Sequence, residues 1–497
     1  MVITSRAVSA PRLRGLFALP LLAALTACQA PEVGLSEASA SQPPPSDAPP
    51  PAPASSTSGP GAAADEPEVP APVEAREPIG YRSTRSAAVV YAEPSRRAKR
   101  RGRVEARRPF AIYSVEPGPG CDGEGWAAVD QGGYVCLEGA SVSKGPARIQ
   151  PELADGQIVP FIYARPKILD RKTGAIATVP RYRDRYALIR GDEPLDVLQP
   201  DRQYTFVKTK TRKAGLMLID AEERAVLARD LKIAAPSEFS GRELAAAPVP
   251  PGRRPAWSVS RPAVLRERPH PSARPVQEVE YHATLDIDPQ PIAVGDQQWY
   301  AVPDAGGPGV PAYVVAADMN YWIPGPALPE VRDDELWLDV ELGQQTLAIM
   351  RGQSPEFVTL ISSGAGGYGT PHGLFRIYEK LAVSPMRSGP NAEDPYYVDG
   401  VPWVQYFHRR YALHASYWHD DFGKRRSHGC VNLAPKDAAR VYALTTPTVP
   451  PGWNSVHEHV GDRGTLVRVR KGTDEVPDRR LPLGEIDAGQ DDTGESE

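Results

Sequence analysis

The sequence predicts a mainly β protein, in which small β modules precede a C-terminal β domain that carries one helix. Three observations predict it. Pro 55 and Gly 43 in 497 residues place much of the chain in turns and linkers and leave room for two to four domains. Apolar residues come in short runs, alternating or bounded by Gly and Pro, which is the strand pattern. A helical pattern is plain in one place, Pro435–Leu444, with Pro at a first-turn position and Asp437 near the positive end of the dipole.

Arg6, Arg12 and Arg14 precede a short apolar core over 16–25 and then Leu25-Thr26-Ala27-Cys28. This order describes a secretory signal whose core is too short to span a bilayer. Leu-Thr-Ala-Cys resembles the bacterial lipoprotein box, which implies a signal peptide over 1–28 and lipidation of Cys28; Gln29 in place of Asp implies the outer membrane. Residues 29–79 are nearly all Pro, Ala, Ser and Glu, cannot bury a core, and read as an extended disordered tether. The net charge of −5 excludes a global basic field of the kind nucleic-acid binding requires.

Over 80–145, strand-like pieces at 87–91, 110–113, 126–129 and 134–137 between Gly/Pro turns read as a small β barrel. In an oxidising compartment Cys121 and Cys136 close a disulfide loop worth about 3 kcal/mol in the chain-entropy picture, the alternative being two free thiols in a sheet. Val264-Leu265-Arg266, Trp299-Tyr300-Ala301-Val302 and Ala312-Tyr313-Val314-Val315 echo Val89-Val90-Tyr91, Trp126-Ala127-Ala128-Val129 and Gly133-Tyr134-Val135-Cys136, giving a second module over 251–325. Both resemble bacterial SH3-like modules. Residues 146–250 are turn-rich and strand-like without an assignable fold. The basic run Arg96, Arg97, Lys99, Arg100, Arg101, Arg103, Arg107, Arg108 is either a solvated hairpin loop or a holder of anionic lipid or acidic wall polymer.

From Glu335 the pattern sharpens. Leu336, Leu338, Val340 and Leu342 alternate with Trp337, Asp339 and Glu341, which predicts a half-buried strand; further strands follow at 346–349, 357–361, 373–377, 411–414 and 466–469. This C-terminal domain is set at 330–471, and the acidic stretch 472–497 reads as a disordered tail.

Cys430 is the one cysteine without an assigned partner, and His414 is a base that could take its proton. Gly369-Thr370-Pro371-His372-Gly373-Leu374-Phe375, then His414, then Ser427-His428-Gly429-Cys430-Val431-Asn432 closely resemble the L,D-transpeptidase catalytic domain of the YkuD type, over about 335–470. The resemblance implies a β-sandwich with Cys430 as nucleophile, His414 as base, the Ala415 carbonyl orienting the imidazole, and backbone N–H groups of His428, Gly429 and Cys430 as the oxyanion hole. It implies structural or substrate contacts for Ser427 and Asn432. It also implies a lid over 384–400 with Tyr396 and Tyr397 facing substrate. Trp418 either walls the groove or packs in the core. From the residues alone, the imidazole is expected to hold the pair as thiolate and imidazolium.

His414, His419, His428 and Cys430 suit zinc by type, but their spacing matches no closed zinc pattern and the oxidising address disfavours it, so no metal or cofactor is expected. His372 and His408 read as packing or surface residues, and His457-Glu458-His459 as a solvated loop. The resemblance implies a lipid-anchored periplasmic transpeptidase. Its partners are peptidoglycan stem peptides, the membrane through the anchor, and an acceptor that is a second stem, a lipoprotein lysine or, in a hydrolase, water. The reading from another class is a wall-binding anchor with a silent last domain, against which the intact His414 and Cys430 speak.

Overall fold

The computed structural model describes residues 77–170, 172–200, 202–388 and 396–481. The signal peptide with Cys28, most of the tether, and the tail from 482 lie outside the described residues.

The C-terminal domain is built on one long strand shared by two sheets. Ser354–Ser362 pairs antiparallel with Thr346–Arg351 along most of its length, and at its end Ile361 and Ser362 turn to pair with Leu433 and Asn432. In the first sheet Leu336–Glu341 lies between Thr346–Arg351 and the parallel Leu466–Arg470, which in turn pairs with Gly373–Arg376. In the second, Val431–Leu433, Tyr411–Ala415, Tyr397–His408, Glu379–Arg387 and Trp453–His457 follow one another. Leu338, Val340, Ile349, Phe357, Leu413, Val431 and Val467 fill the space between them. Pro435–Leu444 is helical with Pro at its start, and its Ala438 and Val441 join the same core.

The strand at 336–341 is buried on both faces, not on one. Trp337, Asp339 and Glu341 are as sealed as the leucines. Asp339 is clamped by Arg468 Nε at 2.8 Å and by Arg470 Nε and Nη2 at 2.9 and 2.7 Å. Carbonyls of Pro326 and Ile323 cap the two guanidinium groups from outside. The Glu341 carboxylate receives the N–H groups of Gly343 and Gln344, fixing the turn into the next strand.

The N-terminal modules are not separate beads. Arg100–Val104 pairs antiparallel with Trp453–His457, so the second sheet of the C-terminal domain runs on into the first module. Gly102 makes that junction possible: a Cβ there would sit 2.1 Å from the Ser455 carbonyl oxygen. Val90, Val104, Phe110 and Val135 share a core with the strands of the C-terminal domain. Cys121 and Cys136 are joined as a disulfide. In the second module Trp299 pairs with Val315 and Arg266 with Tyr313, matching Trp126 with Cys136 and Tyr91 with Tyr134 in the first. The two segments therefore share strand pairing as well as letters.

Residues 146–250 also dock on the sheets of the C-terminal domain. Arg202 and Gln203 pair with Tyr397 and Val398, and Arg242 and Glu243 with Val358 and Phe357. This region contains a helix, Arg185–Arg190, that strand-like composition hid; Asp184 caps it through the Tyr186 and Ala187 N–H groups and Gly191 ends it in the left-handed conformation. Three further expectations are corrected. Of the lid loop at 384–400, residues up to Arg387 and from Tyr397 onward belong to a long hairpin, with 389–395 outside the described residues. His457 ends a strand, Glu458 is buried and His459 Nε2 lies 3.0 Å from Gln131 Oε1, so this stretch is a module contact and not a solvated loop. The tail is ordered at its start, where Leu374 N–H donates to the Pro477 carbonyl and Arg479 N–H to that of Leu374.

Candidate active site

Tyr411–Ala415 and Val431–Leu433 run parallel, with Leu413 opposite Val431, His414 opposite Asn432 and Ala415 opposite Leu433. One step back in this register Cys430 falls beside Ala412, whose backbone its thiol meets. Residues two apart on a strand share a face, so His414 and Cys430 stand as diagonal neighbours on one side of the sheet. Leu413, Ala415, Val431 and Leu433 point the other way into the core and lock both strands.

His414 Nδ1 lies 3.1 Å from the Ala415 carbonyl oxygen. A carbonyl only accepts, so Nδ1 carries the proton and Nε2 keeps a bare lone pair, the tautomer a general base needs. Burial pushes the His414 imidazole down to about 4, opposed by that carbonyl, and pushes the Cys430 thiol up to about 11. Both directions favour thiol and neutral imidazole over the ion pair expected from residue types. Burial accounts for it: Cys430 packs, with Tyr396, Tyr406 and Trp418, against the apolar cluster of Met386, Val401, Val404 and Ala412. The Cys430 Sγ faces the Arg410 carbonyl at 3.7 Å, a group that favours the protonated thiol. Cys430 is nevertheless partly exposed.

The turn before Cys430 is fixed by two hydroxyls. Ser427 Oγ donates to the Cys430 carbonyl at 2.5 Å and accepts the Gly429 N–H at 3.0 Å. Thr370 Oγ1 accepts the Gly364 N–H at 3.0 Å and donates to the Gly429 carbonyl at 2.8 Å. Gly429 has φ +114°, and a Cβ there would lie 2.4 Å from Tyr411 Cε1. Glycine is thus required twice, by conformation and by space. The Gly429 N–H is spent on Ser427, so of the three turn N–H groups expected at an oxyanion hole this one is already bonded within the protein. The role of Thr370 was missed; its place in the Gly-Thr-Pro-His-Gly stretch was the available signal.

Aromatic rings line the approach. The His428 ring lies between Tyr368 and Tyr396, with centroids at 4.5 and 4.8 Å, and Trp418 stacks beside His414 at 5.9 Å. Tyr397 turns away: its ring receives the Arg202 guanidinium at 4.9 Å on the far side of the hairpin. Tyr368 is the aromatic that sequence reading missed.

Asn432, opposite His414, is buried, and its amide lies 3.1 Å from His419 Nε2. His419 Nδ1 accepts the Asp421 N–H at 3.2 Å, and burial pushes this imidazole down to about 4. The ring is therefore neutral with its proton on Nε2, and the Asn432 atom facing it must be the carbonyl oxygen. Asn432 is thus tied to a neighbouring side chain rather than offered whole to substrate.

The segment carrying His419 is held by the second module and its linker. Asn320 Nδ2 donates to the Gly423 carbonyl at 2.7 Å, Arg261 Nη2 to the Asp420 carbonyl at 3.1 Å, and His282 Nε2 lies 3.1 Å from the Phe422 carbonyl. His372 is exposed, and His408 packs against Phe375 and Tyr411.

Residues 335–469 match the family model described as L,D-transpeptidase catalytic domain (YkuD). Among solved structures, this chain is similar to an L,D-transpeptidase from Stackebrandtia nassauensis at 23% identity over 29% of this chain, with a TM-score of 0.21; the match spans 59% of that protein. It is similar to the catalytic domain of an E. faecium L,D-transpeptidase at 21% identity, covering 28% of this chain and 98% of that one, TM-score 0.23. An L,D-transpeptidase from Mycobacterium smegmatis is similar at 16% identity, covering 38% and 90%, TM-score 0.23. No curated protein matched.

Proposed function

With 335–469 matching an L,D-transpeptidase catalytic domain, we propose that this chain acylates Cys430 with a peptidoglycan tetrapeptide stem and passes the acyl group to an amine. The observation that carries the reading is the side-by-side placement of Cys430 and a His414 whose Nδ1 is tied to the Ala415 carbonyl. In the first half-reaction Nε2 of His414 takes the thiol proton as sulfur adds to the carbonyl between the third residue and D-Ala. The oxyanion that forms is met by the Cys430 and His428 N–H groups, each such donor being worth about 2.7–4 kcal/mol. The intermediate collapses to a thioester, and the imidazolium gives its proton to the departing D-Ala amine.

In the second half-reaction the side-chain amine of another stem attacks the thioester, the imidazole takes the amine proton, and the thiol leaves protonated. The product is a cross-link between third residues of two stems, and a lipoprotein lysine as acceptor gives an envelope tether instead. Because a neutral pair is favoured at rest, proton transfer accompanies attack rather than preceding it. The address read at Cys28, a lipid anchor in the outer membrane facing the periplasm, belongs to the same proposal. Carbapenem treatment followed by intact-mass measurement tests it: an adduct is expected on the wild-type chain and not on Cys430→Ala, and a wild-type chain that stays unmodified would overturn it.

A further inference from the structure

We infer that Tyr163 and Thr205, which lie outside the matched domain, are positioning residues for the Cys430 site: through them the region at 146–250 holds the hairpin bearing Tyr396 against the sulfur. The register of that region explains why these two residues do it. Ile162–Pro166 and Arg202–Phe206 are antiparallel neighbours, with Thr205 opposite Tyr163, Tyr204 opposite Ala164 and Phe206 opposite Ile162. Ala164 and Phe206, with Ile162 and Tyr204, fill the region's own core, which leaves Tyr163 and Thr205 side by side on the other face. That face meets the base of the long hairpin. Thr205 Oγ1 donates to Asp399 Oδ2 at 2.8 Å, and the Tyr163 hydroxyl donates to the Gly400 carbonyl at 2.8 Å. Gly400 is left-handed at φ +59°, and a Cβ there would lie 2.3 Å from Thr205 Cγ2, so glycine is what admits the approach.

Two routes lead from this contact to the site. Along the hairpin, Arg202 and Gln203 pair with Tyr397 and Val398, next to Tyr396, whose ring stacks on His428 at 4.8 Å. Met386, Val401 and Val404 of the same hairpin form the cluster on which Cys430 packs. By the other route, the Tyr163 ring stacks on that of Tyr417 with centroids 3.4 Å apart, and Tyr417 precedes Trp418, the ring beside His414. The Tyr417 hydroxyl donates to the Asp399 carbonyl at 2.7 Å. The consecutive carbonyls of Asp399 and Gly400 are thus held by two stacked tyrosines, one from the C-terminal domain and one from the docked region. Both rings are buried, and burial raises both phenols, so each hydroxyl keeps the proton it donates. That the site so held is a transpeptidase rests on the function proposed above; the hold on Cys430 does not.

The test follows iodoacetamide labelling of Cys430 against pH, read by peptide mass, in the full chain and in its Tyr163→Phe/Thr205→Val variant, with denaturant unfolding to show that the variant is folded. Losing both hydroxyls loosens the hairpin and readmits water to the sulfur, so labelling at pH 8 is expected to be about tenfold faster, the equivalent of a profile moved down by about one pH unit. Thr205→Ser, which keeps the hydroxyl, is expected to label more slowly than Thr205→Val. In carbapenem acylation the double variant is expected to need about tenfold more carbapenem for half-maximal rate, the change falling there rather than on the limiting rate. A loss of stability alone moves neither the pH profile nor the half-saturating concentration of the folded chain. A labelling profile that coincides with wild type would overturn the inference, as would equal labelling of Thr205→Ser and Thr205→Val. Labelling needs no transpeptidase chemistry, so that failure stands apart from a wild-type chain inert to carbapenem, which overturns the function and not the positioning.

Discussion

Gly429→Ala is the substitution whose consequence the geometry fixes most closely. At φ +114° an alanine costs about 1–3 kcal/mol in backbone strain alone. Its Cβ would also lie 2.4 Å from Tyr411 Cε1, so turn and ring must separate by about 1 Å to reach ordinary contact. That displacement falls on the residue next to Cys430, and a shift of that size costs about 100-fold in rate where Cys430 is the attacking group. The assay is the rate of carbapenem acylation by intact mass, with denaturant unfolding alongside. Gly429→Ala is expected to acylate about 100-fold more slowly and to be less stable. Adding Tyr411→Ala removes the contact but not the strain, so the double variant recovers part of the rate only. Wild-type acylation by Gly429→Ala would refute the reasoning, and full recovery in the double variant would show that conformation plays no part.

The protonation of Cys430 gives a second expectation: with its thiol raised to about 11, iodoacetamide labelling of Cys430, followed by peptide mass, should rise about tenfold per pH unit from 6 towards 11. A rate flat from pH 6 to 9 would instead indicate a preformed ion pair. Asp339→Asn leaves the buried Arg468 and Arg470 without their counter-charge and should cost about 3–5 kcal/mol in denaturant unfolding; a loss below about 1 kcal/mol contradicts the clamp. His419→Ala frees the Asn432 amide and should slow acylation about tenfold, an effect of one hydrogen bond. His419→Gln, whose amide can still meet Asn432, should restore part of it, and equal rates in the two variants would remove His419 from a positioning role.

Local pattern carried the helix Pro435–Leu444 and the strands at 336–341, 346–351, 354–362, 373–376, 411–415 and 466–470, because alternation and a first-turn proline are properties of adjacent residues, but not the strands Glu379–Arg387, Tyr397–His408, Val431–Leu433 and Trp453–His457. What covers a strand is not local. The Asp339 face looked solvated because acids usually are, and its partners Arg468 and Arg470 arrive from another strand some 130 residues on. Tyr397 was placed over the site with Tyr396, but its partner Arg202 belongs to a region whose docking no motif announces. At the site, the sequence names His414 and Cys430, while their protonation depends on burial, for Cys430 among Tyr396, Tyr406, Met386 and Val404. Thr370 and His419 act through single hydrogen bonds to Gly429 and Asn432, which leave no spacing to read.

Purified disaccharide-tetrapeptide incubated with the full chain, with products resolved by mass spectrometry, tests the central claim most directly. The account predicts a dimer that has lost one D-Ala, formed by the wild-type chain and absent with Cys430→Ala. Tripeptide without dimer would make the enzyme a hydrolase, and unchanged tetrapeptide from a chain that is folded and has its thiol free would contradict the account.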